Sequence, residues 1–206
     1  MSRSLTLLFA VLIAGLICVT PLVYWKHRTR QVRNFRVVHA GVLYRSGQLP
    51  LPIFQEMARN YGIKTVITLR YVAQAGQRPP DWEEEEYCRA HGIRHVRLPA
   101  RGWWSPDGTV PADENVQKFL TIMDDPAHHP VLVHCFAGKH RTGAMCAVYR
   151  MEYQGWSNAD ALREMQACGY ENLEGEWDVK AYLEYYLPRP LRRVAGSPLT
   201  PSPSAW

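Results

Sequence analysis

A chain of 206 residues, 47% hydrophobic and 21% charged, has room for one buried core and not comfortably for two. The net charge of +5 would suit a nucleic-acid partner. However, Arg3, Lys26, Arg28, Arg30 and Arg33 all precede residue 34 with no acidic residue among them, so the rest is formally neutral and that class is excluded. Five cysteines, an odd number without a Cys-x-x-Cys pair, exclude a disulfide framework and a zinc site; they fit reduced thiols in a cytosolic setting, with no metal or other cofactor.

From residue 5 to residue 25 the chain carries no charge, and as a helix this stretch would rise about 30 Å, the thickness of a hydrocarbon core. It is predicted to be an uncleaved, single-pass membrane anchor. The rival, a cleaved secretory signal, has only Cys18-Val19-Thr20 as a cleavage site, and Pro21 follows it. Lys26, Arg28, Arg30, Arg33 and Arg36 after the run, against Arg3 before it, place the C-terminal bulk in the cytoplasm, with Tyr24 and Trp25 where an interfacial aromatic belt would sit. The chain thus divides into an anchor and basic juxtamembrane segment at 1–33, a folded domain at 34–187, and a tail at 188–206 whose five prolines in nineteen residues predict disorder.

Within the folded part, strand-like and helix-like periods alternate, the pattern of an α/β domain with a central, mostly parallel sheet flanked by helices. Strands are predicted at 42–45, 64–69, 93–98 and 131–134. Helices are predicted at 52–61, closed by Asn60 and Gly62; through residue 91 behind an Asp81 cap; at 111–123 and 142–154; at 157–168 behind Ser157; and at 176–186. Glu83, Glu84, Glu85 and Glu86 favour the positive end of their helix and are read as a solvated face.

Where the strand at 131–134 gives way to the next helix, the chain reads His134-Cys135-Phe136-Ala137-Gly138-Lys139-His140-Arg141-Thr142-Gly143. A tight loop between a strand end and a helix start brings successive backbone N–H groups onto one point, at which the positive helix end also aims. That makes an anion pocket. Arg141 would grip two phosphate oxygens with its planar fork, and the same field would hold Cys135 as a thiolate beneath the phosphorus. The amides and the arginine supply the charge stabilisation that magnesium gives in kinases, so the chemistry needs no metal. A glycine at +3 and at +8, an arginine at +6 and a hydroxyl residue at +7 arise around one of five cysteines by chance on the order of 2 in 10,000 times. That is too rare to leave Cys135 as a small buried hydrophobe at a strand end.

This segment resembles the signature loop of cysteine-dependent protein tyrosine and dual-specificity phosphatases, His-Cys-x-x-Gly-x-x-Arg-Thr/Ser-Gly. Asn34-Phe35-Arg36, Val42-Leu43-Tyr44-Arg45-Ser46-Gly47-Gln48, Gly62-Ile63-Lys64-Thr65-Val66-Ile67-Thr68-Leu69-Arg70 and Gly92-Ile93 are similar to the atypical dual-specificity group of fungi and plants and to its bacterial relatives. The resemblance covers residues 34–187. In that group the loop commonly reads Gly-Lys-His-Arg, as Gly138, Lys139, His140 and Arg141 do here. Some members hydrolyse inositol pyrophosphates, and those carry basic residues where this chain has Phe136-Ala137.

The resemblance implies a dual-specificity-phosphatase-like fold that hydrolyses phosphotyrosine or related phosphomonoesters, in a protein or a small molecule, through a phosphocysteine. An inositol (pyro)phosphate phosphatase and a non-catalytic phosphate-binding module are the alternatives. It further implies that Cys135 is the nucleophile, that Phe136, Ala137, Gly138, Lys139, His140 and Arg141 bind substrate, that Thr142 steadies the thiolate, and that His134 and Gly143 support the loop. The family's general acid is an upstream aspartate. Asp107, in Trp103-Trp104-Ser105-Pro106-Asp107-Gly108, is the first candidate and Asp113, near a helix start, the second. Arg45 and Arg70 end predicted strands and line the pocket rim or make surface salt bridges. Trp103 and Trp104 wall an aromatic slot or pin their loop. Cys146 is the local thiol that a different chemistry, arsenate reduction, would need.

Overall fold

The segment Val131–Cys135 is buried at every position, and as strand β5 it forms the centre of a five-stranded sheet. In the computed structural model, which describes residues 13, 15–21, 32–72, 74, 76–103, 105 and 109–191, β1 (Arg36–His39) lies at one edge, antiparallel to β2 (Leu43–Gly47). β3 (Thr65–Thr68) and β4 (Arg94–Arg97) complete the order β1-β2-β5-β3-β4, and every pairing beyond the first is parallel.

Alternation along the strands sets two layers of helix against the sheet. Leu43, Ile67, Val131 and Val133 face one side, packed by α3 (Ala112–Met123), α4 (His140–Gln154), α5 (Asn158–Ala167) and α6 (Trp177–Glu184). Tyr44, Val66 and Leu132 face the other, against Ile53, Phe54 and Ala58 of α1 (Leu51–Asn60) and Cys88 of α2 (Trp82–Ala90). The expected α/β domain with a mostly parallel sheet is therefore present.

Four features differ from the sequence expectation. Strand β1 precedes the first predicted strand; exposed at three of its four positions, it leaves no apolar pattern to read. Helix α4 starts at His140 rather than at residue 142, which puts Arg141 and Thr142 in its first turn. Asp81 occupies the N-cap position of α2 without capping it, because its carboxylate is taken by Thr68 and Arg97. The tail expected to be disordered from residue 188 begins in place: Arg189 reaches Glu152 at 2.9 Å and Asp124 at 2.6 Å, ion pairs that local proline content could not reveal. Residues 192–206 lie outside the described residues.

The predicted anchor at 5–25 also falls mostly outside them. Residues 15–21 are helical and exposed, and no helix among the described residues is long and apolar enough to cross a membrane.

Candidate active site

Because β5 is inserted between β2 and β3, the C-terminal ends of three parallel strands lie side by side: Gly47 pairs with Cys135, and both Ser46 and Thr68 pair with His134. The loop leaving Cys135 turns at Gly138, whose φ of 71° is a left-handed conformation suited to glycine. The turn presses against β2. A Cβ on Gly138 would stand 2.3 Å from the Gly47 nitrogen, and one on Gly47 would stand 2.8 Å from the Phe136 oxygen. Both glycines are dictated by this backbone-to-backbone contact. Gly143, in the first turn of α4, donates its N–H to the Lys139 carbonyl at 2.9 Å and leaves room for the Met165 side chain of α5.

Cys135 is buried, and the Gly138 N–H donates to its sulfur at 3.3 Å. Burial alone would push the thiol up. The hydroxyl and N–H of Thr142, the N–H of Gly138 and the charge of Arg141 outweigh it and hold the thiol below its ordinary value. The Thr142 hydroxyl is itself buried and engaged by no other protein group, which leaves it available to the sulfur. Arg141 spends one donor on the Leu69 carbonyl at 2.7 Å, which orients the guanidinium and leaves the rest of its fork for an anion.

Behind the loop lies a charged support. His134 is buried, its Nε2 is 2.8 Å from Glu84, and its Nδ1 is directed at the Cys135 carbonyl at 3.4 Å. His95 reaches the same Glu84 oxygen at 3.4 Å. Burial would raise the Glu84 carboxyl, but the charge and hydrogen bond of His134, with help from His95, hold it down to about 2. Burial likewise works to lower His134, and the Glu84 charge overrides it and raises the imidazole. Asp81 beside them accepts from the Thr68 hydroxyl at 2.5 Å and from Arg97 at 2.7 Å, and Arg97 also holds Glu85 at 3.0 Å. Asp81, Glu84 and His134 come close enough to suggest a cation site, yet their ligand atoms already serve protein partners. The acidic run is thus not one solvated face: Glu83 and Glu86 are exposed, whereas Glu84 is buried and Glu85 half-buried. Its inward half faces strands β4 and β5.

At the mouth, Phe136 is half-exposed and carries two guanidiniums, with Arg70 centred 5.0 Å and Arg33 5.3 Å from its ring. Phe136, Arg70, Arg78 and Arg141 line a cleft of about 340 Å³ together with Tyr71, Val72, Gln77 and Pro80. Arg70 therefore takes the rim position expected of it. Arg45 does not: it is buried beneath the loop, donating to the Gly138 carbonyl at 2.8 Å, because the sheet end it occupies is covered by that loop.

Among the other loop residues, the Ala137 carbonyl accepts from Asn34 at 2.9 Å. The Lys139 stem runs alongside Gly169. His140 stacks on Tyr170 with its Nε2 3.2 Å from Glu176, contacts that engage both side chains within the protein. Trp103 is buried against Tyr182 at 4.7 Å and so pins its loop. Trp104 and Asp107 lie outside the described residues. Asp113 sits in the first turn of α3 and accepts from the Tyr182 hydroxyl at 2.8 Å. Cys146 is fully buried, and burial pushes its thiol up to about 11, which ill suits a resolving thiolate.

Sequence reasoning missed Glu84, Asn34 and the buried position of Arg45. Their partners are 50, 103 and 93 residues away in the chain, so no local spacing announces them.

An amide cradle around an acidified thiol, at the C-terminal ends of parallel strands, defines a cysteine-nucleophile phosphatase type of site. Residues 25–180 match the family described as DSP-PTPase phosphatase fused to NAD+ kinase, and the chain belongs to that family. It is 35% identical over 133 residues to inositol diphosphatase DSP1 of Oryza sativa subsp. japonica, covering 65% of this chain and 55% of that protein. Over 54 residues it is 44% identical to dual specificity protein phosphatase TpbA of Pseudomonas aeruginosa, 26% of this chain and 25% of that one. The chain thus spans about half the length of the first of these relatives. Among solved structures, the core catalytic domain of the PP-IP phosphatase SIW14 from S. cerevisiae, in complex with citrate, superposes with a TM-score of 0.59 at 23% identity. The match covers 80% of this chain and 92% of that one, a likeness of fold. P. aeruginosa TpbA superposes with a TM-score of 0.58 at 25% identity over 80% and 91%.

Proposed function

We propose that this chain hydrolyses phosphomonoesters through a phosphocysteine at Cys135, with phosphotyrosine or a related ester as substrate. The observation that carries the reading is the sulfur itself, held below the ordinary thiol value by Thr142, Gly138 and Arg141. Cys135 Sγ attacks phosphorus, the phosphorus–oxygen bond to the leaving group breaks, and that oxygen takes a proton from the general acid. Water then attacks the phosphocysteine, passing its proton to the carboxylate left by the first step, and the sulfur departs as a thiolate steadied by Thr142. Asp107 is assigned as the acid from its place in the sequence. In support, the rival Asp113 is already bonded to Tyr182.

Since the thiolate must form first, kcat/KM should rise with pH through a midpoint below the ordinary thiol value of about 8.5 and fall again as the acid loses its proton. Cys135→Ser should abolish turnover of an aryl phosphate in the presence of EDTA while sparing phosphate binding. Activity surviving in that variant would overturn the mechanism; zero turnover by the wild type alongside phosphopeptide binding would select a non-catalytic module. Asp107→Asn should remove the alkaline limb, and Asp113→Asn should leave it.

One observation favours inositol (pyro)phosphates as a second reading. The cleft beside the loop is lined by Arg70, Arg78 and Arg141, with no carboxylate among its described lining residues, and Arg33 adds charge across Phe136. The basic character that Phe136 and Ala137 lack is supplied from outside the loop. The ratio of kcat/KM for an inositol diphosphate to that for a phosphotyrosine peptide decides between the two.

A single-pass anchor with the domain on the cytoplasmic side completes the reading. It is supported by the uncharged run at 5–25, by the exposure of Ile13, Leu16, Ile17 and Val19, each more than half accessible, and by the basic residues that follow. Deleting residues 1–25 should release the chain from carbonate-washed membranes.

A further inference from the structure

The phosphate loop is gripped from outside at three consecutive peptide groups. The Phe136 carbonyl accepts from the Gln48 N–H at 3.1 Å, the Ala137 carbonyl from Asn34 Nδ2 at 2.9 Å, and the Gly138 carbonyl from Arg45 Nη2 at 2.8 Å. These peptides are trans, and in a trans peptide the carbonyl of one residue and the N–H of the next point in opposite directions. Drawing the three carbonyls outward therefore turns the N–H groups of Ala137, Gly138 and Lys139 toward the inside of the loop. The Gly138 N–H is found there, on the Cys135 sulfur at 3.3 Å.

Two of the grips come from strand β2 and the residue that follows it. The third comes from the segment leading into β1, and its backbone is shaped to deliver it. Asn34 has a φ of 52° and is the one non-glycine residue with positive φ among the described residues. Asparagine is among the few side chains that enter this region readily. The segment is fixed on either side of the turn: the Arg33 carbonyl accepts from the Gly47 N–H at 2.6 Å, and the Phe35 ring lies 4.9 Å from that of Tyr61.

We propose that Asn34 is a positioning residue for catalysis: its side-chain amide fixes the Ala137–Gly138 peptide so that the Gly138 N–H is aimed at the sulfur and, during turnover, at the phosphoryl group. This rests on the phosphocysteine reading above. It also means that the anion affinity of the loop is set partly by residues just beyond the basic juxtamembrane run.

The test uses the full chain with two substitutions. Asn34→Gly keeps the positive φ and deletes the donor; Asn34→Asp keeps the shape and sets a carboxylate oxygen against the Ala137 carbonyl. The readouts are the pH midpoint of Cys135 alkylation, inhibition by vanadate or inorganic phosphate, and kcat and KM separately. We expect the alkylation midpoint to rise, oxyanion affinity to weaken, and kcat/KM to fall about ten- to a hundredfold in Asn34→Gly and further in Asn34→Asp, with the thermal midpoint of Asn34→Gly unchanged. Should Asn34→Gly not fold, Asn34→Asp carries the same readouts. Variants that keep the wild-type alkylation midpoint and vanadate affinity overturn the assignment of Asn34. A wild-type Cys135 that titrates as an ordinary thiol overturns the mechanism instead, so the two failures are distinct.

Discussion

Helices α2 and α4 both begin at the C-terminal ends of the parallel strands, and their positive ends are used in opposite ways. The first turn of α2 holds Glu83, Glu84 and Glu85, with Asp81 at its start, so that end is filled by the protein's own anions. The first turn of α4 holds no acidic residue, and its field falls on Cys135. A cysteine in reach of each set of groups reports the difference, Cys88 lying one turn beyond Glu84 in α2. Cys88 in α2 is pushed up to about 12 by burial and by Glu84 and Glu85, whereas Cys135 is drawn down. The same helix-end electrostatics builds a support when the occupant is internal and a receptor when it is left open.

Closing the open end should have the largest effect. Gly138→Ala places a methyl group among the backbone atoms of Ser46 and Gly47, at 2.3–2.6 Å, on a left-handed φ. The loop must shift, and the amides lose their aim together. Since one misplaced donor costs about 10²–10³ in rate, kcat/KM of this variant should fall on the order of 10³-fold or more. A variant with near-normal kinetics would show that the cradle is not the source of the rate. Next in size is the contrast between the thiols. A short pulse of iodoacetamide at pH 7, read by mass spectrometry, should label Cys135 at least about a hundredfold faster than Cys88. The thiolate fractions differ by more than this, and the weaker nucleophilicity of an acidified thiolate offsets part of the gap.

Opening the filled end should cost stability. Glu84→Ala leaves His134 buried without its counter-charge, and breaking such a pair costs about 3–5 kcal/mol. The pH dependence has a definite sign. Glu84, held down to about 2, contributes stability that is complete above its ordinary value of 4.5 and is lost as pH falls toward about 2. His134 is raised, so its contribution is complete below its ordinary 6.5 and is lost as pH rises through the folded value. The pair therefore stabilises most between pH 4.5 and 6.5, and Glu84→Ala should flatten both sides of that maximum in a denaturant titration.

What could be read beforehand, and what could not, follows the same division. The open end is local. Cys135, Gly138, Arg141 and Thr142 fall within eight residues, and the requirement that they meet at one point fixes their spacing. The strand pattern was legible for the same reason, since Val131, Leu132 and Val133 are buried on both faces. The filled end and the outer grips are non-local. A run of four glutamates does not say which of them turns inward until β4 and β5 are placed beside α2. Arg45 reads as a rim residue until the loop is seen lying over it. Edge strand β1 stayed invisible because an edge needs little apolar surface, and the role of Asn34 because nothing near it in the chain is its partner.

The smallest expected effect sharpens the comparison most finely, because it lies inside α2. Glu83 and Glu84 are neighbours in the same first turn and feel the same helix end, but Glu83 is exposed and Glu84 is buried against His134. An exposed carboxylate at a helix N-terminus contributes about 0.3–1 kcal/mol at low ionic strength through the dipole alone, and salt screens it. Glu83→Gln should therefore cost no more than about 1 kcal/mol in dilute buffer and nothing measurable in 1 M salt. Glu84→Ala should keep most of its cost in salt, since the Glu84–His134 pair is shielded from solvent. Equal losses for the two, or equal screening by salt, would mean that the dipole dominates at both positions and that the buried pair adds little beyond it.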